Sequence, residues 1–97
     1  MTYSPAAPDF KYRSIGADYI VPDDTAAATN LVSATLGKVR FIQSVTAGTI
    51  TFRHDDGTLS LPVPIAVNQS LAIGEDVVHV MDTDTSLGAT DIIPFWG

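Results

Sequence analysis

Cysteine is absent from this chain. That excludes a disulfide framework, a thiolate metal site and a cysteine nucleophile. Positive charge is nearly as scarce, with five Lys and Arg against eleven Asp and Glu, for a formal charge of −6. The five cations, Lys11, Arg13, Lys38, Arg40 and Arg53, are scattered. Phosphate recognition needs clustered Lys and Arg, and an acidic chain repels nucleic acid and anionic lipid. No nucleic-acid or membrane partner is therefore expected. Long apolar runs are missing too, since none approaches the roughly 18 residues of a membrane span. The opening "MTYSPAAPDFKYRS" lacks the basic region and apolar run of a signal peptide. The expectation is a soluble protein made in the cytosol.

What remains is a composition suited to folding. The 97 residues are 45% hydrophobic and 16% charged, which is too apolar for a disordered chain. A chain this short makes one domain and buries only about two thirds of its unfolded surface. Oligomerisation would bury more.

Residues 1–14 carry Pro5 and Pro8 among the aromatics Tyr3, Phe10 and Tyr12. Proline removes an amide donor and fixes its own backbone angle, so the stretch reads as an extended arm. The three aromatics make it a candidate interface, packing on its own core or on a neighbouring subunit. "IGADYIV" at 15–21 predicts a short strand, stopped by the turn signal "PDDT". "TAAATNLVS" at 25–33 is the only helix-tolerant stretch and predicts a short helix or a turn.

From residue 36 the apolar period is two. Val39, Phe41 and Val45 share one parity against Arg40 and Ser44. Ile50 and Phe52 oppose Thr49, Thr51 and Arg53, while Leu59, Leu61 and Val63 oppose Thr58, Ser60 and Pro62. Such alternation predicts a sheet with one buried and one wet face. "HDDG" at 54–57 predicts the turn of a hairpin, with Gly57 supplying the positive backbone angle. "SLAIGED" and "VVHVM" predict one strand or two, depending on whether residues 74–76 turn or bulge. In "ATDIIPFW", Pro94 demands an edge strand or a bulge. The expected fold class is all-β: a small antiparallel β-sandwich or jelly-roll-like domain over residues 15–97, with an extended N-terminal arm over 1–14.

Candidate chemistry is sparse. An EF-type calcium loop needs oxygens at positions 1, 3 and 5, glycine at 6 and glutamate at 12. In "DTDTSLG", Asp82, Asp84 and Ser86 satisfy the first three, but Leu87 and Ile93 fill the last two. The segment reads as a hydrated hairpin turn launching the final strand. His54 beside Asp55 and Asp56 would need His79 and a further ligand to make a zinc site, and no spacing supports one. There is no Gly-x-Ser-x-Gly elbow, and a domain this small has little room for the cleft that a catalytic pair of carboxylates needs. No catalytic residue, cofactor or metal is expected. Trp96 is expected to finish the core or an interface. A glycan-binding module, with Trp96 and the tyrosines as a stacking platform and Asp82 and Asp84 as candidate calcium ligands, is the alternative from another class.

Three stretches, "VPDDT" (21–25), "GTITFRHDDGTLSLPVPIAVNQSLAI" (48–73) and "VVHVMDTDTSLGATDIIPFWG" (77–97), together resemble the head spike base proteins of gene transfer agents and related tailed phages. The shared features are the Pro22–Thr25 turn, the Asp56–Thr58 hairpin turn, the Thr83–Ser86 turn and the Ile92–Gly97 end. Met81–Asp82 stand where that family carries basic residues. The resemblance implies a non-enzymatic virion protein on the capsid surface, synthesised in the host cytoplasm. It implies a homo-oligomer, a pentamer at five-fold vertices, whose partners are the capsid protein and a host-contacting spike or fibre protein. A tail or neck adaptor of the same virion is the related alternative.

Overall fold

The computed structural model describes residues 19–97, and Tyr3, Phe10, Tyr12 and the expected arm lie outside them. The described chain is all-β and contains no helix. Its strands are β1 (Val32–Ser33), β2 (Gly37–Ser44), β3 (Gly48–His54), β4 (Val63–Ile65), β5 (Ser70–Ala72), β6 (Val77–Met81) and β7 (Ile92–Trp96). They form two sheets in which every pairing is antiparallel. In the first, β2 is bonded to β1, β5 and β7; in the second, β3 lies between β4 and β6. The helix-tolerant stretch at 25–33 becomes turns and β1, because Thr25 bonds back to Asp23 and Ala27 takes a positive φ of 65°. Tyr19–Val21 is not a strand, although the Ile20 amide donates to the Ile92 carbonyl at 3.0 Å.

One apolar cluster draws on both sheets: Val39, Ile42, Ile92 and Trp96 from the first, and Ile50, Phe52, Ile65 and Val80 from the second. Burying each such side chain contributes about 1.5–3 kcal/mol, which is how a chain this short folds at all.

The β2 alternation departs from the expected parity. Val39 faces the core, but so do Ile42 and Ser44, while Phe41 is half-buried and Val45 is 44% exposed. The register against β7 shifts between Val39 and Phe41. One extra residue in a strand moves every later side chain to the opposite face. The bulge therefore sends Phe41 outward.

The hairpin at 54–57 is present. Gly57 has φ of 90°, its amide reaches the His54 carbonyl at 3.0 Å, and Ile50 lies opposite Val63. Its second arm is not buried as the alternation predicts, since Leu59 and Leu61 are 58% and 84% exposed. Among the described residues β4 is an edge of its sheet, with β3 on one side only. Residues 74–76 turn rather than bulge, and they carry the chain from β5 in one sheet to β6 in the other. β7 pairs only with β2 among the described residues, the edge position Pro94 requires.

Candidate functional site

The segment 82–86 is not the turn of a hairpin. It leaves β6 in one sheet and leads to β7 in the other, so its two flanking strands never pair. On the way it lies against β3 and bonds to it. Thr85 Oγ1 accepts from the Thr51 amide and Ser86 Oγ from the Thr49 amide, each at 2.9 Å. The Ser86 amide returns a bond to the Thr49 carbonyl at 2.9 Å, and both threonine hydroxyls donate to the Asp84 carbonyl. Hydroxyl side chains thus continue the β3 ladder where β6 has ended. This explains why Thr51, expected on the wet face, is only 4% exposed.

Asp24 holds the start of the same segment. Its Oδ1 accepts from the Asp82 and Thr83 amides at 2.9 and 3.0 Å, and its Oδ2 from the Thr83 hydroxyl at 2.6 Å. These bonds, the Thr83 hydroxyl foremost, hold the Asp24 carboxyl below its ordinary value. Asp23 and Asp56 are lowered in the same way, each by the hydroxyl and amide of the threonine two residues on. A carboxylate whose folded pKa is depressed contributes stability above its unfolded pKa and loses it as the pH falls through the folded value. Resistance to urea is therefore expected to decline as the pH falls through about 3.9, where an unperturbed aspartate is half protonated. Asp24→Asn is expected to lower the urea midpoint at neutral pH and to converge on the parent as acid protonates Asp24. Parallel curves at every pH would show that the charge on Asp24 is immaterial.

A second polar cluster centres on His79, which sequence reasoning weighed only as a metal ligand. The imidazole is fully buried, and both ring nitrogens are occupied. Nδ1 accepts from the Asn30 amide at 3.0 Å, and Nε2 donates to the Asp23 carbonyl at 2.6 Å. That pairing places the ring proton on Nε2 and leaves no lone pair for a metal. Asn30 completes the arrangement: its Oδ1 accepts from the Val80 amide at 2.7 Å, and its Nδ2 donates to the Val80 carbonyl at 3.1 Å. One side-chain amide thus satisfies the outer edge of β6 as a further strand would. Arg53 donates to the Ala28 carbonyl. The cluster binds the 21–31 segment to the second sheet. Nothing in the sequence around Asn30 marks it for this role, because its partner lies fifty residues away.

His54 pairs instead with Asp76 at 3.1 Å, on an exposed rim. It borders an open groove of about 510 Å³ that Arg53, Asp55 and Asp56 also line. Arg53 and His54 are already bonded there to Ala28 and Asp76. Among the described residues, no group of three or more His, Asp or Glu side chains is arranged to hold a metal ion. No helix among them is long and apolar enough to cross a membrane.

Trp96 is 7% exposed and packs in the core cluster, with an indole N–H that has no hydrogen-bond partner among the described residues. A ring so buried has no open face on which a sugar could stack. The exposed apolar surface lies elsewhere. Leu59, Leu61 and Val67 are 58%, 84% and 57% exposed, in a nine-residue stretch that also holds the exposed Pro62 and Pro64. Val63 and Ile65 turn their amides to β3, so the two prolines sit where an edge strand would otherwise present donors to solvent. This edge is closed to strand addition and open to side-chain contact.

The fold and these clusters define an all-β protein in which the polar groups described above fasten loops to sheets. The chain matches no family model, no curated protein and no solved structure.

Proposed function

We infer that this chain is a structural, non-enzymatic virion protein: a head spike base, or a related vertex or decoration protein. In this reading the two sheets form a sandwich of jelly-roll-like character with an extended N-terminal arm. The protein oligomerises as a ring, a pentamer on the capsid surface, and anchors a host-contacting spike or fibre. The single observation that carries the assembly role is the exposed apolar stretch from Leu59 to Val67 on an edge that its prolines close to strand addition. Apolar side chains presented in a cluster on a small acidic protein fit a protein–protein contact. The order of strands and turns that resembles the spike bases supplies the class. A core drawn from both sheets supports the sandwich.

Mass spectrometry of purified particles tests the reading: the protein should be present in a fixed ratio to the capsid protein, and its absence would sink the proposal. Leu61→Lys tests the surface. At 84% exposure the change should alter stability by no more than about 0.5 kcal/mol. It should nonetheless shift the oligomer towards monomer in native mass spectrometry. An unchanged oligomer would remove this stretch from the interface.

A further inference from the structure

Three connections meet at one end of the two sheets. Residues 45–47 join β2 to β3, 66–69 join β4 to β5, and 82–91 join β6 to β7. Backbone bonds tie them in there. The Asn68 amide reaches the Ser44 carbonyl at 2.7 Å, the Val45 amide the Asp91 carbonyl at 2.8 Å, and the Ser86 amide the Thr49 carbonyl at 2.9 Å. The end so built is apolar and acidic at once. Val45 and Val67 are 44% and 57% exposed. Asp82 and Asp84 are exposed as well. The carboxylates of Asp24 and Asp91 hold backbone amides, whereas those of Asp82 and Asp84 accept no bond from the described residues. Where this end meets the edge of β4, Thr49, Pro62, Asp84, Thr85 and Ser86 line an open cleft of about 270 Å³.

We propose that this end docks a basic protein surface unlike this chain, with a Lys or Arg side chain seated in the cleft against Asp84 and apolar side chains on Val45 and Val67. Charge complementarity carries the argument. Among the described residues no cation reaches this end: Lys38 and Arg40 are bonded to Gly74 and Glu75 in the turn at the other end, and Arg53 to Ala28. That other end sets Lys38, Arg40, Arg53 and His54 against Asp55, Asp56, Glu75 and Asp76. A second copy therefore offers the acidic end no net positive charge. Nucleic acid and anionic lipid are repelled by it. A basic protein complements it, and complementary charge selects the partner and fixes its register.

The cleft suits one long cationic side chain. Pro62 offers a wall to the aliphatic stem, and Asp84 a carboxylate to the head. Asp84 is also held in place beforehand: its φ is 61°, and its carbonyl accepts from the Thr49 and Thr51 hydroxyls at 3.3 and 3.2 Å. Little freedom is left to lose on binding. The proposal rests on the assembly role inferred above and names the chemistry of an unlike partner, while the contact between copies keeps the β4 edge at Leu59 and Leu61.

Amide NMR of the full chain tests that chemistry, with a short Leu/Lys peptide as the probe and its Leu/Glu counterpart as the control. The Lys peptide should shift the amides of Val45, Val67, Asp84 and Thr85, and the Glu peptide should not. Asp82→Asn/Asp84→Asn should weaken binding of the Lys peptide several-fold, since neither carboxylate holds the fold. Asp55→Asn/Glu75→Gln, the same change of charge at the other end, should leave binding as it was. No shifts at the four residues, equal shifts with the Glu peptide, or equal weakening by both double variants would each overturn the proposal. So would calcium chloride alone reproducing the shifts, which would mean a cation site, or concentration of the protein alone doing so, which would mean a second copy. On purified particles, carbodiimide coupling should join Asp82 or Asp84 to a lysine of an unlike protein, and coupling only to another copy of this chain would overturn the proposal. Failed titrations with the protein present in particles strike this site alone, whereas its absence from particles strikes the assembly role whatever the titrations show.

Discussion

His79→Ala is expected to destabilise the protein by about 3 kcal/mol, because it leaves a cavity and two backbone groups without partners. In a domain of this size that corresponds to a fall in Tm of roughly 12–24 °C. The loss should be local in origin. The Asn30 amide and the Asp23 carbonyl are the groups that lose their bonds, and both belong to the segment that closes the edge of β6. Amide hydrogen exchange at Asn30 and Val80 should accelerate before the core opens. Two conservative variants separate the roles of the ring nitrogens. His79→Asn can place an acceptor where Nδ1 stands, and His79→Gln can place a donor near Nε2. Each should recover part of the stability, whereas His79→Leu, which restores volume without polarity, should not. Equal stability in the Asn, Gln and Leu variants would mean that packing alone accounts for the site.

Gly48→Val should be comparably damaging, for a steric reason. A Cβ at position 48 would fall on Ser86 Oγ and lie 3.0 Å from Leu87 Cδ2. Neither can step aside: Ser86 Oγ accepts from the Thr49 amide, and Leu87 is 3% exposed in the core. The added side chain must push the 82–87 segment off β3, at about 2–3 kcal/mol, the usual range for overpacking. A double-mutant cycle isolates the contact. Gly48→Ala should be markedly less harmful in a Ser86→Gly background than in the parent, by more than the ~0.5 kcal/mol that independent sites show. Additive losses in urea unfolding would mean that Ser86 is not what confines position 48.

Several features of the fold were legible residue by residue. The period-two stretches over 36–45 and 49–54 became β2 and β3, and "VVHVM" became β6. "HDDG" became a turn with Gly57 at positive φ, and Pro94 lies in a strand that, among the described residues, pairs only with β2. Each of these rests on a preference that a residue carries with it: backbone freedom at glycine, a missing donor at proline, and alternation on a pleated strand.

Other expectations went astray where a non-local partner intervened. The bulge between Val39 and Phe41 inverted the faces of β2, and no turn residue announces it. Leu59 and Leu61 alternate as if buried, but they precede β4, which among the described residues pairs only with β3, and both are exposed. His79 and Asn30 are unremarkable in sequence, and they acquire a role only because β6 runs beside the 21–31 segment.

The segment "DTDTS" shows where the division falls. Its composition determined that it would be irregular, hydroxyl-rich and rich in bonds to backbone, since short polar side chains compete with regular ladders wherever they occur. Alternation and turn signals likewise determined the all-β class, and composition a chain with no thiol chemistry and little positive charge. Only the tertiary structure decided that the segment joins two different sheets, that its hydroxyls extend the ladder of β3, and that Asp24 grips its first amides. The physical reason is that a turn's propensity is written in its own side chains, whereas the strand it bonds to is chosen by how two apolar faces meet around a shared core.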